Sequence, residues 1–203
     1  MKLAVFAFGA VALSAIVLQP VHATSFTDAF SPYGVTHGCF RPEGAPATLP
    51  FGGNTWRAQT FMVRTSGKLV GVLLPVSCTG GNLLVAITDL NGGAPGQNVL
   101  TWTYLAASKV AGTPRVYTLL GLPAVDVTAG ATLALVLANP QAANGACTLA
   151  VAADPQCLNP CSDLNPYPDG SMYWYDGTQS GWVRTAPNGN GVDDMGFQVV
   201  VDN

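Results

Sequence analysis

Beyond residue 23 the chain carries a single histidine, His37, and a single glutamate, Glu43. Most enzymes that move protons near neutral pH draw on those two residue types. His37 sits two residues from Cys39 in Thr36-His37-Gly38-Cys39. A nucleophile and its base usually meet across the fold rather than along such a short segment. No Gly-x-Ser-x-Gly elbow is present to present a serine nucleophile. The opposed carboxylates of a glycosidase would have to come from Asp163, Asp169, Asp176, Asp193 and Asp194. These lie in segments rich in Gly, Pro and Asn, where aspartate is a routine turn residue. The residue inventory therefore speaks against an enzyme, with a hydrolase built on paired aspartates as the reading of last resort.

The aromatic residues are more telling. Tyr167, Tyr173, Trp174, Tyr175 and Trp182 fall within sixteen residues, interleaved with Asp169, Asp176, Thr178 and Gln179. Aromatic faces stack on the C–H surfaces of sugars, while carboxylates and amides read hydroxyls. Tyr167, Tyr173, Trp174, Tyr175, Asp176 and Trp182 are thus the candidate ligand-binding set. On a strand, Tyr173 and Tyr175 share one face and Trp174 takes the other. The competing reading is that these rings pack one end of a loop-rich fold, since large aromatics bury area efficiently. Trp102 and Tyr104 alternate with Thr101 and Thr103 and are expected in the core, with Thr103 toward solvent or a sheet rim. Trp56 fits either role.

Calcium is the one cofactor that the composition leaves open, because Asp, Asn and carbonyl oxygens in loops are its ligands. Three segments qualify: Asp89 with Asn91, Asp163 with Asn165 and Asp169, and Asn188 through Asp194. The full EF-hand loop is absent. The same residues are also turn formers, with Asn-Gly at 91–92, 188–189 and 190–191.

The segments that must position these groups follow. Lys2, the apolar run Leu3 to Leu18, the break at Gln19-Pro20 and the end Val21-His22-Ala23 read as a secretory signal cleaved after Ala23. The run is short for a membrane span and no basic stop-transfer cluster follows. The expected mature chain has 180 residues (203 less the first 23), enough for one domain with a sizeable core. Without Lys2 its charge is seven Lys and Arg against eleven acids, or −4. No basic patch is visible, so nucleic acid is not an expected partner. Charged residues are only 9% of the chain, so solubility rests on neutral polar groups. The protein is expected outside the cytoplasm, secreted or periplasmic, and not membrane-spanning. Its oligomeric state is not legible.

Five cysteines follow residue 23, and in an exported protein they are disulfide candidates first. Cys157 and Cys161 close a short loop over Asn159-Pro160. Cys78 ends one predicted strand and Cys147 begins another, so they are expected to join strand to strand. Cys39 is left over. A four-residue spacing with no nearby histidine fits zinc poorly.

Residues 24–55 read as an extended lead-in, rich in Pro, Gly, Ser and Thr. Over 56–203 short runs of period two alternate with turn signals. Strands are expected at Ala58–Arg64, Lys68–Cys78, Asn82–Leu90, Val99–Leu105, Arg115–Leu120, Asp126–Thr128, Ala131–Ala138, Cys147–Ala152, Met172–Asp176 and Trp182–Thr185, with a last one from Asp194. Val70, Val72, Leu74, Val76 and Cys78 share a face in the second. Pro75 argues for an edge or bulge there. No helical periodicity occurs, which excludes parallel βα units. The expected fold is all-β, an antiparallel two-sheet β-sandwich of jelly-roll type.

The order of these pieces carries a resemblance. It runs through Ala58-Gln59-Thr60-Phe61, Gly67 to Val72, Asn82 to Asp89 with the turn Asn91 to Gly96, Val127 to Leu137, Tyr167-Pro168-Asp169-Gly170, Trp182 and Asp194-Met195-Gly196-Phe197. Over about residues 57–201 the chain resembles the non-catalytic jelly-roll β-sandwich modules of bacterial secreted and surface proteins, which are similar to carbohydrate-binding modules and include the choice-of-anchor type. The resemblance implies a binding, adhesive or structural domain without naming a ligand. It also implies a structural ion near the final strand, with Asp193 and Asp194 as its candidate ligands. The function expected is a secreted, non-enzymatic module for glycan or a cell-surface protein. The alternative is a structural component of an extracellular matrix or surface layer without a small ligand.

Overall fold

The computed structural model describes residues 26–30, 48–112, 115–150, 169–185 and 194–202. They form twelve strands: β1 (Phe26–Phe30), β2 (Thr48–Phe51), β3 (Trp56–Met62), β4 (Gly67–Cys78), β5 (Asn82–Asn91), β6 (Ala94–Ala106), β7 (Arg115–Val127), β8 (Thr132–Ala138), β9 (Cys147–Ala150), β10 (Met172–Tyr175), β11 (Val183–Arg184) and β12 (Gln198–Asp202). A single 3₁₀ turn, Ala107–Lys109, follows β6. Every pairing is antiparallel. One sheet runs β1-β12-β4-β9-β2, with β7 along the opposite edge of β4; the other runs β11-β10-β3-β8-β5-β6. The lead-in thus supplies two strands, β1 and β2, to the first sheet. No helix among the described residues is long and apolar enough to cross a membrane.

The two sheets pack face to face, as the alternating pattern predicts. Val72, Leu74, Val76 and Cys78 of β4 meet Leu83, Val85 and Ile87 of β5 and Leu133, Leu135 and Leu137 of β8 in one buried core. Met195, Phe197, Val199 and Val201 close it from the last strand and its approach. The Phe61 and Phe197 rings lie 6.0 Å apart and bridge the two layers. Cys78 and Cys147 are direct register partners on β4 and β9 and are joined by a disulfide, with Cα atoms 4.0 Å apart. Cys39, Cys157 and Cys161, and the expected signal segment 1–23, lie outside the described residues.

Bulges account for the departures from the expected faces. In β4, Leu69 pairs with Val201 and Gly71 with Val200, so Val70 has no partner on β12. On the other edge the same residue is opposed by the four residues between Leu120 and Val125. One extra residue reverses the phase of a strand. Leu69 therefore joins the core while Val70 does not. Gly71 lies where a Cβ would come within 2.6 Å of the Leu119 carbonyl oxygen, so a side chain has no room at this bulge. The insertion also merges two expected strands, Arg115–Leu120 and Asp126–Thr128, into β7. Pro75 is at neither an edge nor a bulge. Pairing with β12 stops at Leu73, and pairing with β9 starts at Val76. The residue without an N–H stands in the gap between two strands that share one edge of β4.

A second bulge corrects the reading of β6. Ile87 pairs with Thr101 and Thr88 with Val99, leaving Leu100 unpaired. Leu100 packs on the core and Thr101 is buried, but from there the phase is reversed. Trp102 and Tyr104, expected inside, point outward with 51% and 52% of their surface exposed. Thr103, expected toward solvent or a sheet rim, is half-buried on the inner side of this edge strand. At the other end of β6 the turn Asn91 to Ala94 is a two-residue hairpin whose Gly92 and Gly93 both hold positive φ, 60° and 86°. That is the geometry in which glycine is favoured at both central positions.

Candidate functional site

The outer face of the second sheet carries the aromatic residues. In register across it lie Arg184, Tyr173, Ala58, Val136, Ala86 and Trp102, one from each strand from β11 to β6. Ala58, Val136 and Ala86 form a small buried apolar cluster, separate from the main core, against which Tyr173 and Trp182 pack. Small residues in the middle of a sheet face leave room for large ones to lie over them. Two residues along, Trp56 of β3 pairs with Tyr175 of β10. Their ring centroids are 5.4 Å apart, and Trp182, which precedes β11, completes a triad at 6.4 Å from Trp56 and 6.0 Å from Tyr175. All three rings are half-buried. The Trp56 Nε1–H donates to the Gly53 carbonyl at 3.3 Å, which fixes one ring of the group.

Polar groups follow β10 in the chain. The carboxylate of Asp176 accepts the Thr178 hydroxyl at 2.6 Å and its backbone N–H at 2.9 Å through one oxygen. The Thr178 hydroxyl, followed by its backbone N–H, holds the Asp176 carboxyl below the usual carboxylate value of 3.8. This carboxylate directly follows Tyr175 in the chain, and its contacts are with the turn that leads away from β10. The Tyr173 hydroxyl donates to the Gly93 carbonyl at 3.0 Å, tying β10 to the tip of the β5–β6 hairpin across the outer face.

Of the sequence-predicted set, Tyr173, Tyr175 and Trp182 come together, with Asp176 following Tyr175. Trp174 pairs with Arg57 on the opposite face, shared with the core residue Met172. Arg57 donates from Nη2 to the Pro50 carbonyl at 3.1 Å, its Nε has no partner, and burial lowers its pKa. Tyr167 lies outside the described residues. Trp56 is the member that the sequence left undecided. It joins only through its pairing with Tyr175, more than a hundred residues away, and no local pattern marks that pairing.

The other candidates have protein partners. Asp194 is fully buried and accepts from Gln59 Nε2 at 2.7 Å, while Gln59 Oε1 accepts the Met195 N–H at 2.8 Å. The amide of Gln59 thereby pins the approach to β12 onto β3. Among the described residues no three His, Cys, Asp or Glu side chains stand together to hold a metal ion. Asp169 forms an ion pair with Arg64. Asp89 accepts the Asn98 N–H at 3.3 Å. His37, Glu43, Asp163, Asn165, Asp193 and Asn188 lie outside the described residues. No family model matches this chain, and no curated protein matches it.

Proposed function

We propose that the protein is a secreted, non-enzymatic β-sandwich module that binds glycan through the ring group Trp56, Tyr175 and Trp182. The observation that carries this reading is the half-burial of all three rings in one group. Rings that served only the core would be covered, as Phe51 and Phe61 are. These keep part of each surface free while their neighbours restrain them, which suits a stacking platform that loses little freedom on binding. Asp176, held by Thr178, supplies a fixed acceptor for a sugar hydroxyl. The N-terminal signal pattern and the buried disulfide favour an oxidising, extracytoplasmic location. A jelly-roll order of strands and kinship with carbohydrate-binding and choice-of-anchor modules belong to the same reading.

A glycan array probed with the mature chain from Thr24, beside its Trp182→Ala variant, tests it. Binding to at least one glycan class is expected, lost in the variant. An array blank for the wild-type chain would sink the proposal.

A further inference from the structure

Of the six large hydrophobic side chains that the described residues expose, five lie on two strands: Val99, Trp102 and Tyr104 on β6, and Val116 and Leu120 on β7. β6 ends the second sheet, and β7 lies along the free edge of β4 in the first. The Thr101 hydroxyl donates to the Pro123 carbonyl at 2.6 Å, so the two strands form one flank of the sandwich. Concentrated exposed apolar surface of this kind marks an interaction site. Sheet edges are normally guarded against pairing by short length, charge, proline or a bulge. The other edges here are guarded. β11 has two residues and includes Arg184, β1 has five and includes Asp28, and β2 has four and includes Pro50. β7 is interrupted by the insertion between Leu120 and Val125, which contains Pro123. β6 is guarded over its first part only, by the bulge at Leu100 and by Pro123 over Thr101. From Trp102 to Ala106 it pairs with Ala86 to Asn82 without a break, and this stretch holds no charge and no proline. Among the described residues no backbone hydrogen bond reaches the side of it turned away from β5.

We infer that this flank is a docking surface for a second copy of the chain, with Trp102–Ala106 of the two copies paired antiparallel about a two-fold axis at Tyr104. The stretch is complementary to itself in that register. Tyr104 meets the partner's Tyr104, and Trp102 lies opposite the small Ala106, a large side chain beside a small one. Each Trp102 is then diagonal to the other copy's Tyr104, within reach of an aromatic contact. Thr103 lies opposite Leu105 on the inner side, so both faces keep their character. Charge favours the same pairing. The chain is net negative, yet no charged residue occurs over Ala94–Ala106 or from Val116 to Ala124. The nearest cations in sequence, Lys109 and Arg115, follow the stretch, and antiparallel pairing carries those of the two copies to opposite ends. The size of the flank sets the strength. With its side chains the free stretch is about 20 Å long and two sheets are about 20 Å thick, giving roughly 800 Å² over both copies. That is the scale of weak, reversible association rather than of an obligate dimer. A two-fold contact uses up the free edge, so association stops at two.

Sedimentation velocity of the mature chain from about 5 µM to about 1 mM tests the inference, which does not depend on the glycan reading. A reversible shift from monomer to dimer is expected, and no larger species. Tyr104→Lys and Tyr104→Glu each place like charges against each other at the axis, so each variant alone should stay monomeric. Their equimolar mixture should regain the dimer, which a merely structural role for Tyr104 would not produce. Val183→Lys, on the opposite edge of the same sheet, should leave association unchanged. Melting shows whether each variant is folded. Tyr104→Ala, which adds no charge, should weaken the dimer about tenfold and carries the test if the charged variants do not fold. A wild-type chain that is monomeric throughout, or that grows past two copies, overturns the inference. So does a dimer that survives Tyr104→Lys or is unweakened in Tyr104→Ala, and a mixture of folded charged variants that stays monomeric overturns the register about Tyr104.

Discussion

Trp182→Ala separates a ring that binds from a ring that merely packs. Full removal of a buried tryptophan costs about 3–5 kcal/mol. Trp182 is half-buried, resting on Ala58, Ala86 and Val136 and flanked by two rings near 6 Å. About half the full cost, roughly 2 kcal/mol, is therefore expected. For a chain of this size that lowers the melting temperature by about 4–8 °C. Glycan affinity should fall at least tenfold at a temperature where the variant is still folded, about the worth of one stacked ring. Trp182→Phe should recover most of the melting temperature and part of the binding. Calorimetric melting and glycan titration on the same samples give both numbers. A drop of the full core size would make Trp182 a packing residue. Unchanged melting together with unchanged binding would remove the triad from the ligand altogether.

The remaining expectations concern what holds the platform. Leu135 is fully buried between Leu133 and Leu137, so Leu135→Asp should abolish cooperative melting through an unpaired interior charge, while Thr103→Asp, on the inner side of an edge strand, should lower it only in part. Reducing the Cys78–Cys147 bond, which closes a sequence separation of 69, should cost about 4 kcal/mol in the chain-entropy view, read as the shift between melts with and without reductant. Asp176 has its pKa depressed in the folded chain, so its hydrogen bonds stabilise fully above the usual value of 3.8 and are lost as pH falls through the lower folded value. Glycan binding should thus survive acidification to 3.8 in the wild-type chain and weaken at a higher pH in Thr178→Val, measured by titration across pH.

The period-two pattern made most of the fold legible. Leu83, Val85 and Ile87, the three leucines of β8, and Met195, Phe197, Val199 and Val201 all face the core as their spacing implies. The Cys78–Cys147 pairing was legible for the same reason, since each cysteine stands at the end of an alternating run. Insertions in the ladder were not legible. A bulge changes no residue type, so nothing in Val70 or Leu100 announces that the phase reverses beside it, and each reversal exchanges inside for outside over the rest of the strand. Pro75 gave a signal of interrupted pairing, but whether an edge, a bulge or a gap between two partners satisfies it depends on strands remote in sequence.

The candidate site divides along the same line. Tyr173, Tyr175 and Asp176 are neighbours in the chain, so their clustering is local and readable. Trp56 reaches them only because β3 pairs with β10, and Trp102 and Tyr104 share their face only because the bulge at Leu100 turns them outward. Without that bulge, Trp102 and Tyr104 would point into the space between the sheets, the side now taken by Thr103 and Leu105. The main core already holds Phe51, Phe61 and Phe197, and two further large rings would overpack it. The bulge therefore does two things at once: it sends Leu100 toward the core and sets two aromatics on the face that already carries Trp56, Tyr173, Tyr175 and Trp182. A core already filled by three phenylalanines accounts for both.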